Sequence, residues 1–243
     1  MQFRVVVGDI TKWQADAIVN SANTTLLGSG GVDTAIHQAG GISLTAACQA
    51  LRGCRMGEAK LTYGYRLPAK YVIHAVGPIW VGGKRDEEAV LASCYKRSLE
   101  LAVEKGVKHL AFTSIATGSN KFPPARAAAI AVPILMNGGQ GIERIDIVCQ
   151  DKALQYAYTR AVVAFWLEHL VTASESELPR IADEAIPALV LLHCADDEPD
   201  PAFLSQGIRL MKNLLAPFMD GTMTCSLIDM DRITDKIMTH AYC

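Results

Sequence analysis

No run of about 18 consecutive apolar residues occurs in the chain, so a membrane-spanning helix is not expected. The opening MQFRVVVGD meets Gly8 and Asp9 straight after its valines, too soon for the apolar stretch of a secretory signal, and the expected compartment is cytoplasmic. Cysteine is odd in number, seven in all, and no Cys-x-x-Cys pair is present, which argues against both a disulfide framework and a zinc ribbon. The thiols therefore read as reduced. Aromatic residues are few, at 7%, and no cluster of Lys and Arg is interleaved with them, so nucleic-acid binding is not expected. Internal repeats and low-complexity tracts are absent too. What remains is half hydrophobic and one-fifth charged over 243 residues. That describes a soluble globular chain with room for one large α/β domain, or one domain with a small appendage.

Charge is unevenly spread. Residues 1–174 carry 18 Lys and Arg against 13 Asp and Glu, a net of +5, while residues 175–243 carry 5 against 12, a net of −7. A basic first part attracts an anionic ligand such as a phosphate ester, although charge says nothing of fold. Within it, short apolar runs alternate with helical stretches. Residues 3–7 and 17–19 read as buried strands closed by the turn-prone pairs Gly8-Asp9 and Asn20-Ser21. Residues 32–50 read as helix broken near Gly40-Gly41, residues 60–65 and 71–76 as strands, and residues 87–105 as an amphipathic helix ended by Gly106. Strand, helix, strand and helix follow at 110–114, 124–136, 145–149 and 151–170. This alternation predicts a sheet covered by helices on both faces. After about Val171 a polar break leads into an acidic segment in which residues 203–218 read as an amphipathic helix and 229–240 as a weaker one. The expected division is thus a domain over 1–170 and an acidic, mainly helical extension over 171–243.

Two segments carry the chemistry. One runs from Asn20 through Asn23, Gly28, Gly30 and Gly31 to Asp33 and His37, leaving a strand, crossing a glycine-rich loop and opening a helix. The other, Ser114 to Pro123, is a second strand-to-helix loop. Glycines let backbone N–H groups close on an anion, and a helix N-terminus adds a positive dipole. In an open α/β sheet such loops meet at the carboxyl ends of the strands, so two of them at one edge suit a diphosphate. Asp33 reads either as a helix N-cap or as a carboxylate near the incoming anion. Asn23 reads either as a turn residue or as a ligand contact, and Asp9 can cap a turn before Thr11. His37 reads as a packing or hydrogen-bonding residue, His74 as a satisfied core histidine, and Cys48, Cys54 and Cys94 as small buried hydrophobes. His193-Cys194 with Asp196-Asp197 reads as a solvated acidic loop, since its spacing fits no zinc pattern.

Taken together, Gly8-Asp9-Ile10-Thr11, the Asn20 to Asn23 strand end, Gly30-Gly31-Val32-Asp33-x-Ala35-Ile36-His37, Cys54-x-x-Gly57-Glu58-Ala59, the segment from Leu67 to Pro78, and Ala116-Thr117-Gly118 resemble the macrodomain family, in particular its MacroD-like branch. The resemblance covers about residues 1–170 and leaves the extension unrecognised. It implies a three-layer α/β/α sandwich around a mixed six-stranded sheet, with ADP-ribose bound in a cleft. It implies hydrolysis of the ester between ADP-ribose and Asp or Glu of mono-ADP-ribosylated proteins, or of O-acetyl-ADP-ribose, with no metal and no cofactor. By the match, Asp9 accepts from the adenine amino group with Ile10 beside it, and Asn23 binds the distal ribose. Gly30, Gly31, Val32, Thr34, Ala35 and Ile36 hold that ribose and the α-phosphate, while Ala116, Thr117, Gly118, Ser119 and Asn120 wrap the diphosphate. Asp33 matches the residue that orients or deprotonates the attacking water.

The chain departs from that pattern at Ser119-Asn120-Lys121, where the branch carries an aliphatic residue, an aromatic and a glycine. It departs again at Ser29 in a glycine run, and at Gln150, where an aromatic often stacks on adenine. Three functions stay open: an ester hydrolase, a reader that binds ADP-ribose without turnover, and a scaffold with a vestigial cleft.

Overall fold

A computed structural model describes residues 1–28 and 30–172, together with residues 176, 177, 180, 181, 184, 185 and 235. Six strands, β1 (Gln2–Val7), β2 (Ala17–Ala22), β3 (Ala59–Tyr63), β4 (Tyr71–Val76), β5 (His109–Phe112) and β6 (Arg144–Cys149), form one sheet in the order β1-β6-β5-β2-β4-β3. β2 runs parallel to β4 and β5, and β5 parallel to β6, while β3 is antiparallel to β4. The helices are α1 (Gly31–Gly40), α2 (Ile42–Ala50), α3 (Glu87–Glu104), α4 (Pro124–Asn137) and α5 (Lys152–Thr172). The expected three-layer α/β/α sandwich with a mixed sheet is what forms. By compactness the chain divides into residues 1–3 with 7–158 and residues 4–6 with 159–243. The helices expected at 203–218 and 229–240 lie outside the described residues.

Local chemistry explains the boundaries. Gly41, with φ of +78°, separates α1 from α2, and its N–H closes α1 on the His37 carbonyl. α3 buries Leu91, Cys94, Tyr95, Ser98, Leu99 and Ala102, one stripe of the expected amphipathic pattern. The central strands are closed off on both faces, with Ile18, Val19, Val72, Ile73, Leu110, Ala111 and Ile147 all at 0% exposure.

β2 is longer than its sequence suggests. The turn expected at Asn20-Ser21 is instead strand through Ala22, paired residue by residue with β4, Asn20 opposite His74. A polar residue survives in this buried strand because its NH₂ has two partners inside the protein, Asp33 and His74. A single 3-10 turn, Ile10–Lys12, was not foreseen as an element; Asp9 caps it by accepting from the Thr11 N–H. Because β2, β4, β5 and β6 run the same way, the loops that follow β2, β5 and β6 gather at one sheet edge.

Candidate functional site

At that edge lies a cleft of about 390 Å³, within the range of small-molecule sites. Five segments wall it: Gly8 to Thr11, Ser21 to Asn23, Gly30 to Val32 with Ala35, the loop after β5, and Val148, Gln150 and Leu154. Of the residues expected to bind ligand, Asp9, Ile10, Asn23, Gly30, Gly31, Val32, Ala35, Ala116, Thr117, Gly118, Ser119 and Asn120 line it. Thr34, Ile36 and Asp33 do not. Thr34 instead closes the glycine loop by accepting from the Gly30 N–H at 2.9 Å, and Ile36 belongs to the core at 0% exposure.

The walls are rich in donors. Gly30 and Gly31 take φ of +117° and +54°, and a Cβ on either would meet nothing, so glycine serves the backbone there and keeps the wall open. The first-turn N–H groups of Gly31 and Val32 have no helical acceptor. Across the cleft, Ala116 N–H is taken by Ser21 Oγ, while Lys121 and Phe122 N–H close the turn on the carbonyls of Gly118 and Ala116. Among the described residues, no partner takes the N–H groups of Thr117, Gly118 and Ser119. Two sets of oriented donors, one at a helix N-terminus, suit an anion with two phosphates. Non-glycine residues with positive φ flank both loops: Leu26 at +62°, Ala116 at +65° and Lys121 at +56°. The last shows why a glycine suits position 121.

Asp9 and Asn23 each have a structural task, and Asn23 keeps a free group. Asp9 Oδ1 accepts from the side chain and backbone of Thr11, which hold its carboxyl below the ordinary value. Oδ2 lies 3.7 Å from Lys12 Nζ. Asn23 Oδ1 accepts from Leu26 N–H at 2.8 Å and from Thr25 Oγ1 at 3.0 Å, which leaves its NH₂ as the group available to a ligand. Asn120 Nδ2 donates to the Gly77 carbonyl at 3.2 Å, so this side chain ties its loop to the segment after β4.

Asp33 is not the N-cap of α1; that place is Gly30's, and Asp33 is the third helical residue, 1% exposed. Its Oδ1 accepts from Asn20 Nδ2 at 2.8 Å and stands 3.7 Å from His37 Nε2. Asn20 Nδ2 also faces His74 Nδ1 at 3.2 Å. A donor on that side makes Nδ1 the acceptor, so His74 carries its proton on Nε2 and donates toward Thr62 Oγ1 at 3.0 Å. Burial, then the neighbouring His37, push the His74 imidazole down to about 3, so it is neutral. His37, Cys48 and His74 come close enough to suggest a metal triad, but a protonated Nε2 on His74 leaves no lone pair for an ion. Sequence reasoning passed over Asn20 as a turn residue; its mark was a carboxamide in the middle of an apolar strand.

Residues 19–131 match the Macro domain family model. The chain is 51% identical over 154 residues to a macro domain-containing protein of Methanosarcina mazei, covering 62% of this chain and 82% of the relative. This chain belongs to the macro domain family. A Pantoea vagans relative named O-acetyl-ADP-ribose deacetylase 1 is 46% identical, over 60% of this macro domain chain and 90% of its own. The Trypanosoma brucei macrodomain in complex with ADP-ribose superposes with a TM-score of 0.60 at 37% identity, covering 65% of this chain and 67% of that one.

Proposed function

We propose that this macro domain binds ADP-ribose and hydrolyses the ester that joins it to Asp or Glu of mono-ADP-ribosylated proteins, or to acetate in O-acetyl-ADP-ribose. The observation that carries this reading is the pair of donor-bearing loops facing one another across the cleft, with Asn23 at one end and Asp9 at the other. The diphosphate lies between the loops, adenine meets Asp9 and Ile10, and the distal ribose meets the Asn23 amide. The named deacetylase among the relatives supports the ester chemistry.

Water adds to the acyl carbon, the ester C–O bond breaks, and the ribose hydroxyl leaves with a proton as the carboxylate is released. Asp33 is 1% exposed, so the proton of the attacking water passes to a ligand phosphate oxygen, while Asp33 orients the first turn of α1 and the water above it. The same burial favours a second reading, a reader that binds without turnover.

Release of ADP-ribose from a glutamate-modified protein, and of acetate from O-acetyl-ADP-ribose, separates the two. Hydrolysis by the wild-type chain supports the enzyme. Saturable binding with no release of either product leaves the reader.

A further inference from the structure

Beneath the cleft runs a chain of hydroxyl groups that the fold and the ester chemistry leave unused. Ser114 lines the cleft two residues past the end of β5, and its Oγ lies 2.9 Å from Tyr158 Oη on α5. Tyr158 Oη lies 2.8 Å from Tyr95 Oη on α3, and Tyr95 Oη accepts from the Ile115 N–H at 3.3 Å. Both tyrosines are 0% exposed and Ser114 is 8% exposed. Burial holds both phenols up, Tyr158 to about 12, so each keeps its proton.

The direction of the chain follows from counting protons. Among the described residues the Tyr95 hydroxyl has no further partner. If Ser114 donated to Tyr158, a buried phenol proton on Tyr158 or Tyr95 would have no acceptor, a loss the interior does not tolerate lightly. One arrangement strands none: Ile115 N–H to Tyr95, Tyr95 to Tyr158, Tyr158 to Ser114. The Ser114 proton then has the cleft as its direction. β5 lies between β6 and β2 in the sheet, so Ser114 stands between the Asp9 end and the Asn23 end, one strand from the latter and two from the former.

We propose that Ser114 donates its hydroxyl proton to an oxygen of the ribose-phosphate stretch of the bound nucleotide, and that Tyr158 and Tyr95 are positioning residues that aim it. The inference rests on the nucleotide reading of the cleft and adds to it a side-chain donor on the floor, beside the backbone donors of the walls.

Calorimetric titration of the full chain tests this with Ser114→Ala, Tyr158→Phe and the double variant, against ADP-ribose, AMP and adenosine. Ser114→Ala weakens ADP-ribose by about tenfold. Tyr158→Phe weakens it by about threefold in the wild-type background and not further in the Ser114→Ala background, because its effect passes through Ser114. A loss that persists with AMP and vanishes with adenosine identifies a phosphate oxygen; one that persists with adenosine identifies a ribose oxygen. Unchanged affinity in Ser114→Ala, or losses that add fully in the double variant, overturn the proposal. Where Ser114→Ala does not fold, unchanged affinity in Tyr158→Phe does the same. A wild-type chain that binds none of the three ligands overturns the nucleotide reading itself, and this inference with it.

Discussion

The Asn20 amide ties the Asp33 carboxylate to the His74 ring. Asp33→Ala removes a negative charge under the first turn of α1 and leaves a buried N–H of Asn20 unpaired, at a cost of about 1–3 kcal/mol. Typical domain stability exceeds that, so the variant stays folded with a lower melting temperature. Ester cleavage falls by about 100-fold, the cost of a misplaced first turn, while ADP-ribose affinity stays within about tenfold, as initial rates and titration will show. A variant that still cleaves at the wild-type rate removes Asp33 from the reaction. His74 gives a separate pH signature. Its imidazole is moved from an ordinary 6.5 down to about 3, so between those values the unfolded chain binds the proton and the folded chain does not. Stability is therefore full above about pH 6.5 and declines as the pH falls toward 3. Melting curves at pH 7.5 and 5.0 show this decline, and His74→Gln flattens it.

Loops, more than strands, carry the adaptations of this macro domain. Glu87, at the start of α3, turns its carboxylate back onto the loop before it and accepts from Val81, Gly83 and Arg85 N–H groups. Burial would raise this carboxyl, but those backbone donors, with its own N–H, outweigh burial and bring it down to about 2. The contribution to stability is present above the ordinary value of 4.5 and is lost as the pH falls toward 2. Glu87→Gln speeds amide exchange at Val81 and Gly83 while α4 keeps its protection; unchanged exchange would show that the carboxylate does not hold the loop. On the cleft side, a Cβ on Gly118 meets nothing within 4 Å, and its φ is not positive. Gly118→Val therefore leaves the melting temperature of the free protein within a few degrees, yet weakens ADP-ribose by tenfold or more by crowding the diphosphate loop. An equal loss of stability and affinity would point to a backbone role instead. The element boundaries were legible wherever glycine or a hydrophobic period marked them, as at Gly41 and Gly106. β2 was cut short because Asn20-Ser21 looks like a turn until their partners on other elements are known. A side-chain hydrogen bond across 13 or 54 residues leaves no local trace.

For the molecule as a whole, the sheet and its two covering layers could be read from alternating strands and helices, and the cleft from two glycine-bearing loops that the parallel strands bring to one edge. Backbone donors at Gly31, Val32, Thr117, Gly118 and Ser119 were foreseen as segments, since a loop's position follows from chain order. The depth of a side chain does not, which is why Asp33 was expected at the ligand and stands behind the wall, and why Ser114, placed at the head of the second loop, was given no ligand contact. The acidic stretch from 175 to 243, its charge of −7 opposite in sign to the rest, has its expected helices outside the described residues. Whether the cleft receives ADP-ribose is decided by calorimetric titration of the full chain with ADP-ribose. Binding gives saturable heat at one site per chain and a rise in melting temperature as ligand exceeds its dissociation constant. Absence of both heat and thermal shift at millimolar ADP-ribose would contradict that binding.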